Sequence, residues 1–283
     1  MTRTLKPVIL CGMSFQYPPQ KDSGAPSEPR QIPPRQASSP PSSPPPATYP
    51  VRFPQGEPYV TYALLAVTIV VYLLQMAGKQ FYGFDVMAAA GMKSNAAIQA
   101  GQWWRLVTPI FLHGGIFHIG FNMYALYVLG PSLERFYGKS GFLLLYLVSG
   151  VAGNVFSFIF STYNSLGAST AIFGLLAAQG VFLYQHRDLF GKSAQRSLMN
   201  VLFIAVINFI IGLSPGIDNW GHLGGFIGGA LFAWFAGPRM EIVGHPPNLK
   251  LKNVRSSLIT MLVAVLDLML FIGLAMTLGG ASG

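Results

Sequence analysis

Seven apolar stretches follow one another along the chain after residue 57, and polar segments separate them. Their approximate bounds are 58–78, 117–133, 141–161, 168–185, 198–214, 220–237 and 256–279. Each is near the length of about 20 apolar residues that a helix needs to cross a bilayer. The pattern predicts an all-α fold, a polytopic membrane bundle of helices.

Three segments depart from this pattern. Residues 1–57 form a Pro-rich tail that cannot build a core, so we expect it to be disordered and cytoplasmic, with a docking segment as the alternative to a solvated tail. The insert 79–116 contains Gln102-Trp103-Trp104-Arg105, an aromatic and basic cluster suited to the headgroup region and expected to brace the insert. Residues 238–255 are predicted to form a basic cytoplasmic loop.

The composition agrees with a membrane protein. Hydrophobic residues make up 52% of the chain and charged residues 10%, whereas soluble proteins carry about 25% charged residues. Together with this deficit, the apolar stretches themselves exclude a soluble enzyme. The single cysteine, Cys11, excludes an internal disulfide and a cysteine-based metal site. No His-Glu-x-x-His motif occurs, so a metalloprotease is not expected. We expect neither a metal nor another cofactor.

The distribution of basic residues predicts the orientation of the chain. The net charge is +9, but Lys and Arg are spread over the polar segments instead of forming a patch, so no nucleic-acid partner is expected. With the N-terminus in the cytoplasm, only Lys79, Lys93 and Arg105 face the other side. The positive-inside rule therefore favours a cytoplasmic N-terminus and, after seven spans, an extracytoplasmic C-terminus.

Polar side chains inside the apolar stretches are candidates for function, because they are costly in lipid unless they are paired. The candidates that we select are His118, Asn122, Ser169, Asn208, His222 and Asp267. His118 and Asn122 are four residues apart and share one helix face. In the predicted topology, His118, Ser169 and His222 lie near the extracytoplasmic ends of three spans. This convergence in one membrane layer is what a buried active site requires.

Small residues indicate which helices touch. In the sixth stretch, Gly221, Gly225 and Gly229 are spaced by four residues, as are two further glycines, and such a stripe lets a neighbouring backbone approach closely. The fourth stretch offers a matching surface of small residues that includes Gly167. Contact between these stretches brings Ser169 within reach of a histidine base. Phe173, one turn after Ser169, either stacks on His222 or is core packing.

Taken together, these motifs resemble the rhomboid family of intramembrane serine proteases. The matching elements are Trp104-Arg105, the segment from Leu112 to Asn122, Gly167-Ala168-Ser169 with Phe173-Gly174, and Gly221-His222-Leu223-Gly224-Gly225. Each motif is weak alone, but their order and spacing are specific. The resemblance covers residues 58–237 and implies a six-helix catalytic core, to which residues 256–283 add a C-terminal seventh helix.

The resemblance also implies a mechanism. Ser169 is the nucleophile and His222 the base of a catalytic dyad, and the oxyanion is held by His118, Asn122 and the backbone N–H of Ser169. Gly167, Phe173 and Gly225 have supporting roles. Substrates are transmembrane segments of other proteins, which are cut within the lipid bilayer. The protein itself is expected to be a multi-pass membrane protein, and the lack of a transit peptide together with a cytoplasmic N-terminus favours a bacterial plasma membrane over an organelle. The resemblance leaves the substrate identity, the cleavage site and the oligomeric state open.

One residue departs from the family pattern. Thr170 follows Ser169 where the family has glycine, and it either crowds the neighbouring helix or bonds to a backbone carbonyl of its own helix. This substitution keeps open the alternative of a catalytically silent rhomboid-like protein that binds transmembrane clients. A transporter is a weaker alternative, because the sequence has no inverted repeat.

The remaining polar residues are expected to be structural. Asp218 is predicted to cap the sixth membrane helix and not to serve as the acid of a triad. His113 is predicted to be a hydrogen-bonding group at the membrane edge, Asn208 to bond to a neighbouring helix, and His186 to lie on the surface. No role is assigned to Asp267.

Overall fold

The structure is a computed structural model that describes residues 49–279. The prediction of disorder for the Pro-rich tail therefore lies outside the described residues, except for its last nine positions. Cys11 lies outside them as well.

The described chain is mainly helical, and its elements follow in this order: α1 Tyr59–Tyr82, α2 Val86–Gly91, α3 Asn95–Gln99, two 3₁₀ turns at Trp103–Leu106 and Thr108–Phe111, α4 Ile116–Phe160, α5 Ser169–Gln185, α6 Arg187–Ile211, α7 Asn219–Ala236, β1 Met240–Val243, β2 Lys250–Asn253 and α8 Ser257–Leu278. The four short helical segments α2, α3 and the two 3₁₀ turns belong to the predicted insert.

The longest helix, α4, is two membrane helices joined at a kink. Gly138 has φ 73° and ψ 166°, a conformation that glycine adopts without strain. Both ends of α4 lie in the same layer of the bundle, because Gly167 N–H donates to Pro109 O and Lys93 pairs with Ser165. The chain therefore reverses at Gly138, and the halves 116–137 and 139–160 correspond to the second and third predicted stretches.

The bundle has a buried centre and an apolar perimeter. The second half of α4, α5 and α7 form the centre, where most side chains are buried. Helices α1, α6 and α8 surround them and expose large apolar side chains. In the part of the chain that the structure describes, four helices, α1, α4, α6 and α8, are long and apolar enough to cross a membrane. The core consists of α1, the two halves of α4, α5, α6 and α7, and α8 is the added seventh helix. The predicted all-α membrane bundle, with a six-helix core and an added seventh helix, is confirmed.

Glycines set the distance between α5 and α7. A Cβ atom on Gly229 would overlap the backbone of Gly174, and one on Gly225 would overlap the carbonyl oxygen of Thr170. The two backbones therefore touch where the sequence predicted a matching surface. The second glycine stripe of α7 packs instead against the second half of α4.

Two elements differ from the sequence prediction. Helix α6 begins at Arg187 and bends at Gly191, well before the predicted start at residue 198, because its first turns are polar and hydropathy locates only the apolar part. The predicted loop 238–255 contains an antiparallel hairpin in which Met240 pairs with Asn253. One side of this short hairpin is buried, through Met240 and Leu251, so its apolar pattern is too brief to be recognised as strands.

A buried glutamate fixes the start of α1. Glu134, in the first half of α4, accepts hydrogen bonds from Val60 N (2.9 Å), from Thr61 N (2.8 Å) and from Thr61 Oγ1 (2.8 Å). The carboxylate thus satisfies free N–H groups at the positive end of a helix. Glu134 was missed from the sequence, because it lies at the edge of an apolar stretch and its partners are more than 70 positions away.

Candidate active site

Ser169 and His222 meet at the centre of the bundle. Ser169 is the first residue of α5, and His222 lies in the first turns of α7 and is buried. The Oγ atom of Ser169 is 3.0 Å from Nε2 of His222, which is hydrogen-bonding distance. The glycine-lined contact between the two helices makes this approach possible.

The ring of His222 is oriented by an aromatic neighbour. The rings of Phe173 and His222 are stacked, with centroids 4.3 Å apart and planes 13° from parallel. Phe209 of α6 packs on Phe173 in turn, at 4.9 Å. Among residues 49–279, Nδ1 of His222 has no hydrogen-bond partner, so no carboxylate of the described chain orients the ring. Of the two interpretations of Phe173, the structure has the stacked one.

Asp218 caps α7, as predicted. Its Oδ1 accepts from Gly221 N at 3.0 Å, and its Oδ2 accepts from Ser157 Oγ. The contact with His222 is through the backbone, where His222 N donates to Asp218 O at 3.2 Å. Asp218 therefore positions the start of the helix that carries His222 and is not the acid of a triad.

His118 lies beside Ser169 on the other side of Gly167. Gly114 N–H donates to Nδ1 of His118 at 3.4 Å, so the ring proton is on Nε2. A Cβ atom on Gly167 would lie 2.7 Å from His118 Nε2 and 3.6 Å from Ser169 Oγ. Gly167 also has φ +139°, which other residues rarely adopt. Only glycine fits here, and it leaves Nε2–H of His118 facing the space next to Ser169.

Two further N–H donors belong to the same region. Asn122, one turn after His118 and buried, donates from Nδ2 to His118 O at 2.9 Å, which uses one of its two amide hydrogens. The backbone N–H of Ser169 lies in the first turn of α5, where no carbonyl of the same helix can accept it.

A clamp from α1 holds the segment before α4. His113 N donates to Gln75 Oε1 at 3.0 Å, and Gln75 Nε2 donates to His113 O at 3.1 Å. The ring of His113 accepts from Ala168 N at 3.4 Å, next to Ser169. Burial, with a contribution from His118, lowers the pKa of His113 to about 4, so the ring is neutral and can accept. His113 is structural, as predicted, whereas Gln75 was missed.

Thr170 fits because its neighbours are glycines. A Cβ atom on Gly153 would lie 2.5 Å from Thr170 Cβ, and one on Gly221 would lie 3.2 Å from Thr170 Cγ2. The side chain occupies the space that these two glycines leave free, so crowding is avoided. The Oγ1 atom of Thr170 has no hydrogen-bond partner within residues 49–279, and a bond to its own helix is therefore not formed.

Buried cations brace the insert beside the site. Lys93, which is 0% exposed, donates from Nζ to Ser161 O (2.8 Å) and Tyr163 O (2.9 Å), and burial lowers its pKa to about 8. Arg105 donates to Gln102 Oε1 at 2.7 Å and to two backbone carbonyls of the insert. The predicted brace is confirmed, and Lys93 adds to it.

Other sequence predictions were wrong or remain without a role. Asn208 donates to Ile204 O within its own helix at 2.8 Å, not to a neighbouring helix. His186 is buried and not on the surface. Asp267 lies on the buried face of α8. Between residues 49 and 279, no group of three or more His, Cys, Asp or Glu side chains is arranged to hold a metal ion.

Comparison with known proteins identifies relatives of this chain. The family model of the Rhomboid domain matches residues 100–239. Rhomboid protease GluP of Bacillus subtilis is 42% identical over 178 residues, which cover 62% of this chain and 34% of GluP. RHOMBOID-like protein 9, chloroplastic, of Arabidopsis thaliana is 35% identical over 153 residues, 54% of this chain and 35% of that protein.

A shorter relative matches over most of its length. Putative rhomboid protease YdcA of Bacillus subtilis is 36% identical over 152 residues, which cover 52% of this chain and 74% of YdcA. The chain spans about a third of the length of GluP and of the chloroplastic protein. From the matched domain, these identities and the apolar helical bundle, we conclude that the chain is an integral membrane protein of the rhomboid family.

Proposed function

We propose that this protein is an intramembrane serine endopeptidase that cleaves transmembrane segments of other membrane proteins. The observation that carries the proposal is the 3.0 Å contact between Ser169 Oγ and His222 Nε2 inside a membrane bundle. A serine hydroxyl becomes a nucleophile when an adjacent base can take its proton. Bacillus subtilis relatives that are named rhomboid protease and putative rhomboid protease support the assignment.

The dyad performs both proton transfers. Ser169 Oγ attacks the scissile carbonyl while His222 Nε2 accepts its proton, and the same nitrogen then donates to the leaving amine. These proton transfers require the proton of the neutral His222 ring to be on Nδ1. The stacked ring of Phe173 limits rotation of His222 and supplies the orientation that a carboxylate supplies in a triad.

Three donors stabilise the oxyanion in this proposal. They are Nε2–H of His118, the second amide hydrogen of Asn122 and the backbone N–H of Ser169. Each such donor contributes about 3–4 kcal/mol to transition-state stabilisation. The positive end of the α5 dipole adds to this field, because Ser169 is the first residue of the helix.

The substrate must unwind before it is cut. A helix in lipid keeps its carbonyls in hydrogen bonds, so an attacking serine reaches a carbonyl only where small or helix-breaking residues weaken the helix. The dyad lies in the half of the bundle opposite to most of the basic residues. We therefore assign the dyad to the extracytoplasmic side and the N-terminus to the cytoplasmic side.

The proposal is tested with a fluorophosphonate probe, which reacts with activated serines, on the full chain in lipid bilayers. We expect labelling of the wild-type protein and none of Ser169→Ala or His222→Ala. Ser214→Ala is the matched control, because Ser214 is exposed in the loop before α7, and it should label as the wild type does.

A second measurement tests the peptidase activity. A membrane protein whose single span carries glycines near its extracytoplasmic end should be cut by the wild type and not by Ser169→Ala. A folded wild-type protein that neither reacts with the probe nor cuts such spans would refute the proposal. That outcome would favour the client-binding alternative, which co-purification of the intact span would then test.

A further inference from the structure

A polar cavity of about 230 Å³ lies far from the dyad. Its walls are Gln185 and His186 at the end of α5, Pro238 and Arg239 after α7, and Arg255 before α8. Because Ser169 begins α5 and Gln185 ends it, the cavity is about 24 Å from the dyad along that helix. The dyad does not use this cavity.

Two arginines give the cavity a positive charge. Arg255 donates from Nε to Gly237 O at 3.1 Å, which fixes the side chain. Within residues 49–279 its two terminal nitrogens have no hydrogen-bond partner, so they are available to bind another group. The side chain of Arg239 is exposed, and its backbone N–H is held by Asn253 at 3.0 Å. Within residues 49–279 the one ion pair joins Lys79 to Asp85, so neither arginine is neutralised by a carboxylate there.

The histidine of the cavity wall is neutral and structural. Met240 N–H donates to Nε2 of His186 at 3.1 Å, so the ring proton is on Nδ1, which lies 2.8 Å from Phe182 O. Burial lowers the pKa of His186, in agreement with this neutral form. His186 therefore anchors the hairpin to the end of α5, and the charge of the cavity comes from the arginines.

The surroundings of the cavity are typical of the headgroup region. The rings of Tyr184 and Trp234, both exposed, are 6.1 Å apart, and the guanidinium of Arg187 lies 4.7 Å from the centre of the Tyr184 ring. Aromatic rings of this kind collect at the membrane–water boundary. The exposed Leu258 at the start of α8 offers apolar surface for an acyl chain.

We propose that this cavity binds the phosphate group of an anionic phospholipid. Guanidinium groups bind phosphate oxygens in a bidentate manner and remain charged at any physiological pH. The cavity opens on the face that carries most Lys and Arg. The orientation proposed above assigns this face to the cytoplasmic side, where the leaflet is rich in anionic lipid. Aromatic side chains at headgroup depth and the apolar start of α8 favour a lipid over a free phosphate ion.

The test uses native mass spectrometry of the full chain with phosphatidylglycerol, and phosphatidylcholine as the neutral reference. The double variant Arg239→Gln/Arg255→Gln should bind phosphatidylglycerol about a hundredfold more weakly, because each arginine loses its charge-assisted hydrogen bonding to the phosphate group, which contributes roughly tenfold. The matched control is Lys192→Gln/Arg196→Gln, which removes the same charge from exposed residues of the same face outside the cavity and should bind as the wild type does.

Arg239→Gln alone keeps the test decisive if the double variant does not fold, since the side chain of Arg239 is exposed. A loss of about tenfold is expected, because the charge-assisted hydrogen bonding of one arginine to the phosphate group is removed. Equal losses in the cavity and control variants would overturn the proposal in favour of general surface charge. Displacement of phosphatidylglycerol by equimolar inorganic phosphate would overturn it in favour of a free-phosphate site. Fluorophosphonate labelling should stay at the wild-type level in every variant, so failure here is distinguishable from failure of the proposed function.

Discussion

Replacement of Gly225 by alanine places a single methyl group between the two helices that carry the dyad. A Cβ atom there would lie 3.1 Å from Thr170 Cα and 2.8 Å from the Thr170 carbonyl carbon, and closer still to the carbonyl oxygen. Ordinary contacts of a Cβ atom begin at 3.4 Å. The obstacle is backbone, which cannot rotate away, so α7 must move from α5 by about 1 Å.

This movement acts directly on the dyad, because Ser169 precedes Thr170 and His222 is one turn from Gly225. The Oγ–Nε2 distance of 3.0 Å would grow to about 4 Å, beyond hydrogen-bonding range. A displacement of 1 Å at a reacting group lowers rates about 100-fold. Overpacking should also destabilise the bundle by about 1–3 kcal/mol. The assay is the rate of fluorophosphonate labelling, with thermal unfolding measured in parallel.

The matched control is Gly273→Ala, since a Cβ atom on Gly273 in α8 has nothing within 4 Å. That variant should label at the wild-type rate and be as stable as the wild type or more so, by up to about 1 kcal/mol, because alanine favours a helix. A folded Gly225→Ala protein that labels at the wild-type rate would refute the argument that this backbone contact sets the dyad distance.

Two further predictions concern Thr170 and His113. Thr170→Gly should keep the labelling rate, because the Thr170 side chain contacts Gly153 and Gly221 and not the dyad. The variant should lower the stability of the protein by about 1–2 kcal/mol, because it leaves a cavity. A large gain in labelling would instead show that Thr170 restrains the enzyme. His113 is neutral in the folded state, where its pKa is about 4 against 6.5 in the free residue. As the pH drops from 6.5 towards 4, the unfolded chain therefore binds a proton that the folded chain does not, and the stability of the fold should fall. Unfolding measured across this range in wild type and in His113→Gln checks it, and an equally steep loss in the variant would contradict the assignment.

The sequence allowed the helical bundle and the meeting of Ser169 with His222 to be predicted, for a physical reason. Lipid exposure demands long apolar stretches, and close helix packing demands small residues, so both leave patterns that need no knowledge of partners. The cap formed by Asp218 was equally accessible, because capping acts within one turn.

Features that depend on distant partners were not predicted. Gln75 is a polar residue in an apolar helix, and its meaning appears only when His113 lies beside it, 38 positions along the chain. His186 was assigned to the surface because it follows an apolar stretch, in a segment predicted to be a cytoplasmic loop, whereas its burial is produced by the hairpin that folds over it. Asn208 found a carbonyl in its own helix, and periodicity does not distinguish this from an interhelical bond.

The polar clamps on α1 have a consequence for the order of biosynthesis. Residues 60 and 61 find their acceptor in Glu134, and Gln75 finds its partner in His113, so α1 leaves the ribosome long before the groups that satisfy it exist. Until then the polar groups on its buried face must find hydrogen-bond partners in water, in the insertion machinery or in a chaperone. Helix α1 therefore enters the membrane before its packing partners exist, and it becomes part of the bundle only when the first half of α4 has been made.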